Sequence, residues 1–188
     1  MAPESIRALD PTSDTLEIRE AIHDPQLREL LLLADKAIRA DGDAIGFLPF
    51  GAYEEAASTN RMFSLFRNND RVGFILWGRN QLRECRILQI WVRSDARLIE
   101  HGRALVQHLE NAHARRLQLW QLRAWVAEDL AANVFWPQIG FACNSWRWGP
   151  AKNGRRHNLW RRAVDLTTTA QLSSCGVRSP ATPFEEIA

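Results

Sequence analysis

The sequence predicts an α/β domain whose sheet contains a parallel element. Three observations carry that expectation. From Arg86 to Phe141 the apolar pattern runs strand, helix, strand, short helix, and a helix between two strands is the signature of a parallel crossover. Within that stretch Leu88, Ile90 and Val92 share one face and Ile87, Gln89 and Trp91 the other, so both faces are covered, as in a central strand. Upstream, Arg61–Arg67 and Val72–Gly78 flank Asn68-Asn69-Asp70, a turn tolerant of positive φ, and form a hairpin. At 188 residues and 46% hydrophobic content the chain suits one domain, 1–165, with a low-complexity tail over 166–188 rich in Thr, Ser and Pro.

The elements follow in order. Leu16-Glu17-Ile18 reads as a short first strand. Asp24-Pro25 supplies an N-cap and a first-turn proline, and Leu27, Leu30, Leu31, Ala34 and Ile38 recur at helical spacing as far as Asp41-Gly42. Ala44 to Gly51 is apolar but broken by glycine and proline, so it reads as a loop, followed by a short helix over Ala52–Ser58. In the hairpin, Phe63 and Leu65 share a face with Val72, Phe74 and Leu76, which places one side on a core. After the loop Arg93–His101, a helix from Gly102 carries Leu105, Val106, Leu109 and Ala112 on one stripe and ends at Arg115-Arg116. A strand over Leu117–Val126, a helix over Asp129–Gln138 stopped by Gly140, and a hairpin of Phe141–Trp148 with His157–Val164 complete the domain.

Composition narrows the setting. With 24 basic and 22 acidic residues the net charge is +2 and names no partner. Arg147, Lys152, Arg155, Arg156, Arg161 and Arg162, however, occur without an Asp or Glu between them, which suits either phosphate or a solvated hairpin face. Cys85, Cys143 and Cys175 lack metal or disulfide spacing, so neither a metal site nor a disulfide framework is expected. An acidic N-terminus without an apolar run argues against a signal peptide, and no apolar stretch is long enough to span a membrane. The expected setting is the reducing cytoplasm.

Two pieces resemble the GNAT superfamily of acyl-CoA-dependent N-acetyltransferases, and the likeness covers about Ile45 to Val164. Ile90-Trp91-Val92-Arg93-Ser94-Asp95-Ala96-Arg97-Leu98-Ile99-Glu100-His101-Gly102-Arg103-Ala104-Leu105 looks like the family's strand, pyrophosphate loop and helix start. Asp129 to Phe141, with Asn133, Trp136, Gly140 and Phe141, is similar to the family's second motif. The resemblance implies a mixed, mostly antiparallel central sheet flanked by helices, with a splayed parallel pair of central strands. It also implies acetyl-CoA as cofactor, held by Ile90, Trp91, Val92, Arg97, His101, Gly102, Arg103, Ala104, Asn133 and Trp136. A helix N-terminus entered from such a loop presents free N–H groups and the positive end of a dipole, which suits a pyrophosphate. Ser94, Leu98 and Glu100 depart from the family's proline and glycines, and Glu100 sets a carboxylate where an anion belongs unless it turns to Arg97 or Arg103.

Acetyl transfer needs a neutral amine, a polarised thioester and a proton for the leaving thiolate. The family's usual acid, a tyrosine, is here Trp136, whose indole donates a hydrogen bond but does not act as a Brønsted acid. Tyr53, Cys143 or water takes that place. The central strand offers no carboxylate between Arg86 and Arg93, so Glu54, Glu55, Glu84 or a water route are the candidate bases. Phe47 and Phe50 suit an acceptor wall, for a small-molecule or peptide amine. Stacking aromatics beside the basic hairpin also suit nucleic acid, as in base-modifying relatives of this superfamily. A non-catalytic binding module is the third reading. Trp146, Trp148 and Trp160 suit a homodimer interface or a core.

Overall fold

The computed structural model describes residues 15–40, 48–79, 82–149 and 154–166. Seven strands, β1 (Leu16–Glu20), β2 (Met62–Arg67), β3 (Asp70–Arg79), β4 (Glu84–Val92), β5 (Gln121–Ala127), β6 (Ala142–Trp148) and β7 (Arg156–Ala163), form one sheet in the order β1-β2-β3-β4-β5-β7-β6. Every neighbouring pair is antiparallel except β4 with β5. The expected mixed, mostly antiparallel sheet with one parallel pair is therefore the fold observed. The tail beyond 166, the segment 41–47 and the hairpin tip 150–153 lie outside the described residues.

Helices cover both faces. On one side, α1 (Pro25–Ala40) and α2 (Phe50–Ser58) bury Leu27, Leu31, Ala34 and Tyr53 against Met62, Phe74 and Leu76. Asp24 Oδ1 accepts the Leu27 N–H at 2.8 Å, so the Asp-Pro pair caps α1 as its sequence predicts. On the other side, α3 (Ile99–Leu109) packs Leu105, Val106 and Leu109 into a cluster with Phe63, Ile75 and Ile87. Its last turn widens into a π-type turn at Glu110–Ala114.

Several sequence expectations need correction. The hairpin turn holds Asn68 and Asn69 at φ 52° and 65°, as its composition requires, but β2 and β3 are buried on both faces rather than one. Phe74 and Leu76 meet α1 and α2, while Ile75 and Trp77 meet the α3 side, because a seven-stranded sheet with helices on both sides leaves its central strands no wet face. The strand before the second motif begins at Gln121, and Trp120 lies outside it, half-exposed, with its indole N–H donating to the Leu82 carbonyl at 2.8 Å. The expected single helix over Asp129–Gln138 is split into a 3-10 turn, Ala131–Val134, and a short α4, Phe135–Gln138. The sheet also ends differently from chain order: β7 inserts beside β5, leaving β6 as an edge strand with all seven residues exposed. Trp146 and Trp148 on that edge are therefore not core residues.

Candidate active site

The site begins where two parallel strands part. β4 and β5 pair from Glu84–Gln121 to Ile87–Ala124, and there the ladder stops, although β4 continues to Val92 and β5 to Ala127. Beyond that vertex, backbone groups on the facing edges have no strand partner. A second irregularity sits at the same level. Leu76 and Trp77, adjacent on β3, oppose Gln89 and Ile87 on β4, so Leu88 is an extra residue, a β-bulge.

The bulge reverses the expected faces of β4. Leu88 and Trp91 pack against the α1/α2 cluster, and Gln89 bonds to Tyr53 of α2, while Ile87, Ile90 and Val92 belong to the α3 side. Strict alternation would have put Leu88 with Ile90 and Val92, and Gln89 with Ile87. One inserted residue shifts the period-two pattern by a full step.

Behind the vertex opens a cavity of about 910 Å³ that reaches both faces of the sheet. Its walls include Ile87 to Val92 of β4, Ala124 to Val126 of β5, Gly102 at the start of α3, Phe135 and Trp136 of α4, and Ile38 of α1. Of the residues singled out from sequence, Ile90, Trp91, Val92, Arg97, Gly102 and Trp136 line it. His101, Arg103, Ala104, Asn133, Tyr53, Glu54, Glu84 and Phe50 are not in its walls, and Phe47 lies outside the described residues.

The loop entering α3 is held from within. Arg93 bridges Asp70 and Asp95, both at 2.7 Å, tying the loop to the β2–β3 turn. The Arg97 Nε–H donates to the Val92 carbonyl at 3.2 Å. Buried His101 places Nδ1 2.6 Å from the Ala96 carbonyl; a carbonyl only accepts, so that nitrogen carries the hydrogen and the ring braces the loop. The helix begins at Ile99, three residues before the expected start, so Gly102 lies in its first turn. A Cβ there would stand 2.7 Å from Phe135 Cε2, and the glycine therefore makes room for a ring, not directly for phosphate. Glu100 turns aside to Arg103 at 2.8 Å, and Arg103 also donates to the Gln138 carbonyl at 3.2 Å.

Three expected roles meet different placements. Asn133 donates to the carbonyls of Ala127 at 2.7 Å, Leu130 at 2.9 Å and Glu128 at 3.2 Å, and accepts from Asn158 and Trp160, so its amide braces the end of β5 instead of facing a cofactor arm. Glu84 is buried at the closed end of the β4–β5 pair and meets Arg123 at 2.6 Å, on the far side of the vertex from the cavity. Glu54 lies on the exposed side of α2, 3.0 Å from His23. Neither Glu84 nor Glu54 is in the cavity wall.

Tyr53 is fully buried and its hydroxyl donates to the Gln89 side-chain oxygen while accepting the Leu48 N–H at 3.3 Å. Burial pushes the phenol up to about 12, so it stays protonated and is a poor acid at neutral pH. Trp136, 3% exposed, packs edge-on to Phe135 and Phe141, and its indole N–H is buried without a partner among the described residues.

Sequence reading missed Gln89, Phe135, and the pair Asp129–Arg155 on the cavity rim. Arg155 Nε and Nη2 both reach Asp129 Oδ2, at 3.1 and 2.5 Å, and hold that carboxyl below its ordinary value. Nothing in sequence signals this pair, whose members are 26 residues apart. The bulge that aims Gln89 was equally silent. Three members of the closing hairpin's basic run are ion-paired: Arg155 meets Asp129, Arg156 meets Glu128 at 3.0 Å, and Arg162 meets Glu110.

A splayed parallel pair, a bulge at its vertex and the first turn of α3 thus border one cavity. The model of the Acetyltransferase (GNAT) family matches residues 8–141. The chain belongs to the GNAT acetyltransferase family. Solved GNAT structures share its fold. Ard1 from Thermoplasma volcanium aligns with a TM-score of 0.66 at 18% identity, over 79% of this chain and 97% of its own. The ribosomal-protein-S18-alanine N-acetyltransferase of Escherichia coli aligns with 0.56 at 18%, over 80% and 94%. An acetyltransferase of Bacillus anthracis, solved in complex with acetyl coenzyme A, aligns with 0.51 at 18%, over 55% and 62%. No curated protein matches the chain in sequence.

Proposed function

We propose that this GNAT protein transfers an acetyl group from acetyl-CoA directly to a small-molecule or peptide amine. The observation that carries the reading is the parting of β4 and β5 beyond Ile87, which opens a cavity at the N-terminus of α3 and leaves strand edges for an extended ligand to pair with. The Bacillus anthracis neighbour is complexed with acetyl coenzyme A, and the Escherichia coli neighbour is a ribosomal-protein-S18-alanine N-acetyltransferase.

The residues fit such a cofactor. Ile90 to Val92 offer backbone groups to an amide-containing arm. The first N–H groups of α3, with Arg97 and Arg103 alongside, suit its pyrophosphate. When bound, acetyl-CoA supplies an activated acetyl thioester. The chain's share is to hold two reactants together and keep water out, through Ile38, Leu88, Trp91, Trp125, Phe135 and Trp136. Tyr53 lies outside the wall and holds its proton, Trp136 does not ionise, and Arg155 holds the Asp129 carboxyl below its ordinary value, so none of them is a ready proton donor at neutral pH. A thiolate with an ordinary pKa near ~8.5 takes its proton from water instead.

Calorimetry with acetyl-CoA tests the reading, followed by free-thiol detection with a panel of amines. Binding in the micromolar range and amine-dependent thiol release are expected; absence of binding at millimolar cofactor overturns it and leaves an interaction module. The nucleic-acid alternative drew on the basic hairpin and nearby aromatics; Arg155, Arg156 and Arg162 of that hairpin are engaged in ion pairs, which favours the amine reading.

A further inference from the structure

We propose that the open face of the sheet beside the cleft carries a second anion site, in which Arg86, Arg123 and Arg161 stand in a row across β4, β5 and β7 and bind the oligophosphate group of a small molecule. None of these arginines is in the cavity wall, so the site is separate from the cleft and independent of the acetyltransferase reading.

Register builds the row. Arg86 is opposite Arg123 in the parallel β4–β5 ladder, and Arg123 is opposite Arg161 in the antiparallel β5–β7 ladder. Opposite residues of neighbouring strands project from the same face, so three guanidiniums leave one side of the sheet across two strand spacings, ~10 Å. Cys85 and Ile87 flank Arg86, Leu122 and Ala124 flank Arg123, and all four belong to the α3-side core, which sends the arginines to the other face. The apolar cluster beneath α1 and α2 on that face includes no residue of β5, β6 or β7, so β5 and β7 carry the row on sheet that those helices leave open.

Most of this charge is unmatched. Glu84, buried in β4, meets Arg123 at 2.6 Å, while Arg86 and Arg161 have no ion-pair partner among the described residues. Arg161 belongs to the closing hairpin's basic run and lies outside its three ion pairs. So does Arg147, which adds a fourth charge 4.1 Å from the centre of the Trp125 ring, two residues along β5 from Arg123. The Nε groups of Arg123 and Arg161 are buried with no hydrogen-bond partner among the described residues. Burial first, then the charges of Arg86, Arg161 and Arg147 working against Glu84, hold Arg123 below the ordinary arginine range. Like charges directly opposite one another destabilise a sheet, so a row of this kind costs stability that a bound polyanion offsets.

The span selects the ligand. The row ends opposite Gly78 of β3 and Ala142 of β6, neither of which is charged. A carboxylate or a single phosphate engages one or two guanidinium forks, whereas a linear oligophosphate reaches across all three. A nucleic-acid strand needs a basic track that runs on past the row, and the uncharged ends supply none.

The test titrates full-length protein with tripolyphosphate in calorimetry, against inorganic monophosphate and against sodium chloride of equal ionic strength. Tripolyphosphate is expected to bind about tenfold or more tighter than monophosphate, and to raise the melting temperature where matched sodium chloride does not. Arg86→Gln and Arg161→Gln leave the Arg123–Glu84 pair in place and should each weaken binding about fivefold or more. Without the anion both variants should be at least as stable as wild type in urea, because each removes a like-charge neighbour. Binding lost in Arg97→Gln but kept in Arg86→Gln and Arg161→Gln assigns the anion to the first turn of α3 and overturns the inference. So does absence of binding at millimolar tripolyphosphate, and so does a single-stranded oligonucleotide that binds more tightly than tripolyphosphate at equal phosphate concentration.

Discussion

The Trp160 indole N–H donates to Asn133 Oδ1 at 3.0 Å, joining strand β7 to the turn that follows β5. The same oxygen accepts from Asn158 at 3.2 Å, and the amide nitrogen serves three carbonyls. Replacing Asn133 by alanine leaves several half-buried polar groups without this partner, so a loss of about 1 to 3 kcal/mol is expected. Urea denaturation of Asn133→Ala measures it. Asn133→Asp should lose a similar amount, because a carboxylate has no N–H for the carbonyls of Ala127, Glu128 and Leu130.

Gly102→Ala sets helix propensity against packing. Alanine gains about 1 kcal/mol over glycine in a helix, but the new Cβ falls 2.7 Å from Phe135 Cε2 and 2.9 Å from Cζ. Such overpacking costs about 1 to 3 kcal/mol. The variant should therefore be less stable by about 1 kcal/mol, while Gly102→Ala with Phe135→Leu should recover to wild type or above in the same denaturation experiment.

Tyr53 is the only tyrosine in the chain, so tyrosinate absorbance reports it alone. Its folded-state pKa of about 12 lies above the unfolded value of ~10. Below pH ~10 both states hold the proton and the stability is complete. Above it the unfolded state ionises first, so stability falls as pH rises toward the folded value, by roughly 2 to 3 kcal/mol at the limit. Alkaline denaturation of wild type should show this extra slope, and Tyr53→Phe should lack it.

Glu84 and Arg123 form a buried pair at the closed end of the parallel strands. Arg123→Met removes the guanidinium from this buried carboxylate and is expected to cost about 3 kcal/mol. Glu84→Gln should destabilise by about 1 to 3 kcal/mol yet change kcat/KM with any amine less than about twofold. A larger kinetic effect would return Glu84 to the list of bases.

Glu100 is the carboxylate in the first turn of α3, exposed and paired with Arg103. Glu100→Gln removes one negative charge near the proposed pyrophosphate and releases Arg103. Acetyl-CoA affinity should rise by about two- to fivefold at low ionic strength, the scale of an exposed charge pair. The gain should fade as salt is added, and calorimetry at two salt concentrations reads both effects.

Much of this architecture was legible in the chain. Asp24-Pro25 declared the start of α1, Asn68-Asn69 the β2–β3 turn, and the strand–helix–strand run from Arg86 the parallel crossover, because each depends on local geometry that neighbouring residues alone determine. The cavity wall at Ile90 to Val92, with Arg97 and Gly102, was legible for the same reason: it is one contiguous stretch. Gln89, Phe135 and the Asp129–Arg155 pair were not, since their roles arise from contacts between distant segments.

By itself, then, the sequence determined the elements, their order, the family and one side of the cleft. Only the tertiary structure decided the partners of polar side chains. The bulge at Leu88 turned Gln89 toward Tyr53, the β7 insertion drew Asn133 into bracing β5, and the closed end of the parallel pair took Glu84 away from the cavity. A side chain's chemistry is written in its residue type, but its partners are set by strand register and sheet order, and a single inserted residue moves it from one face of a sheet to the other.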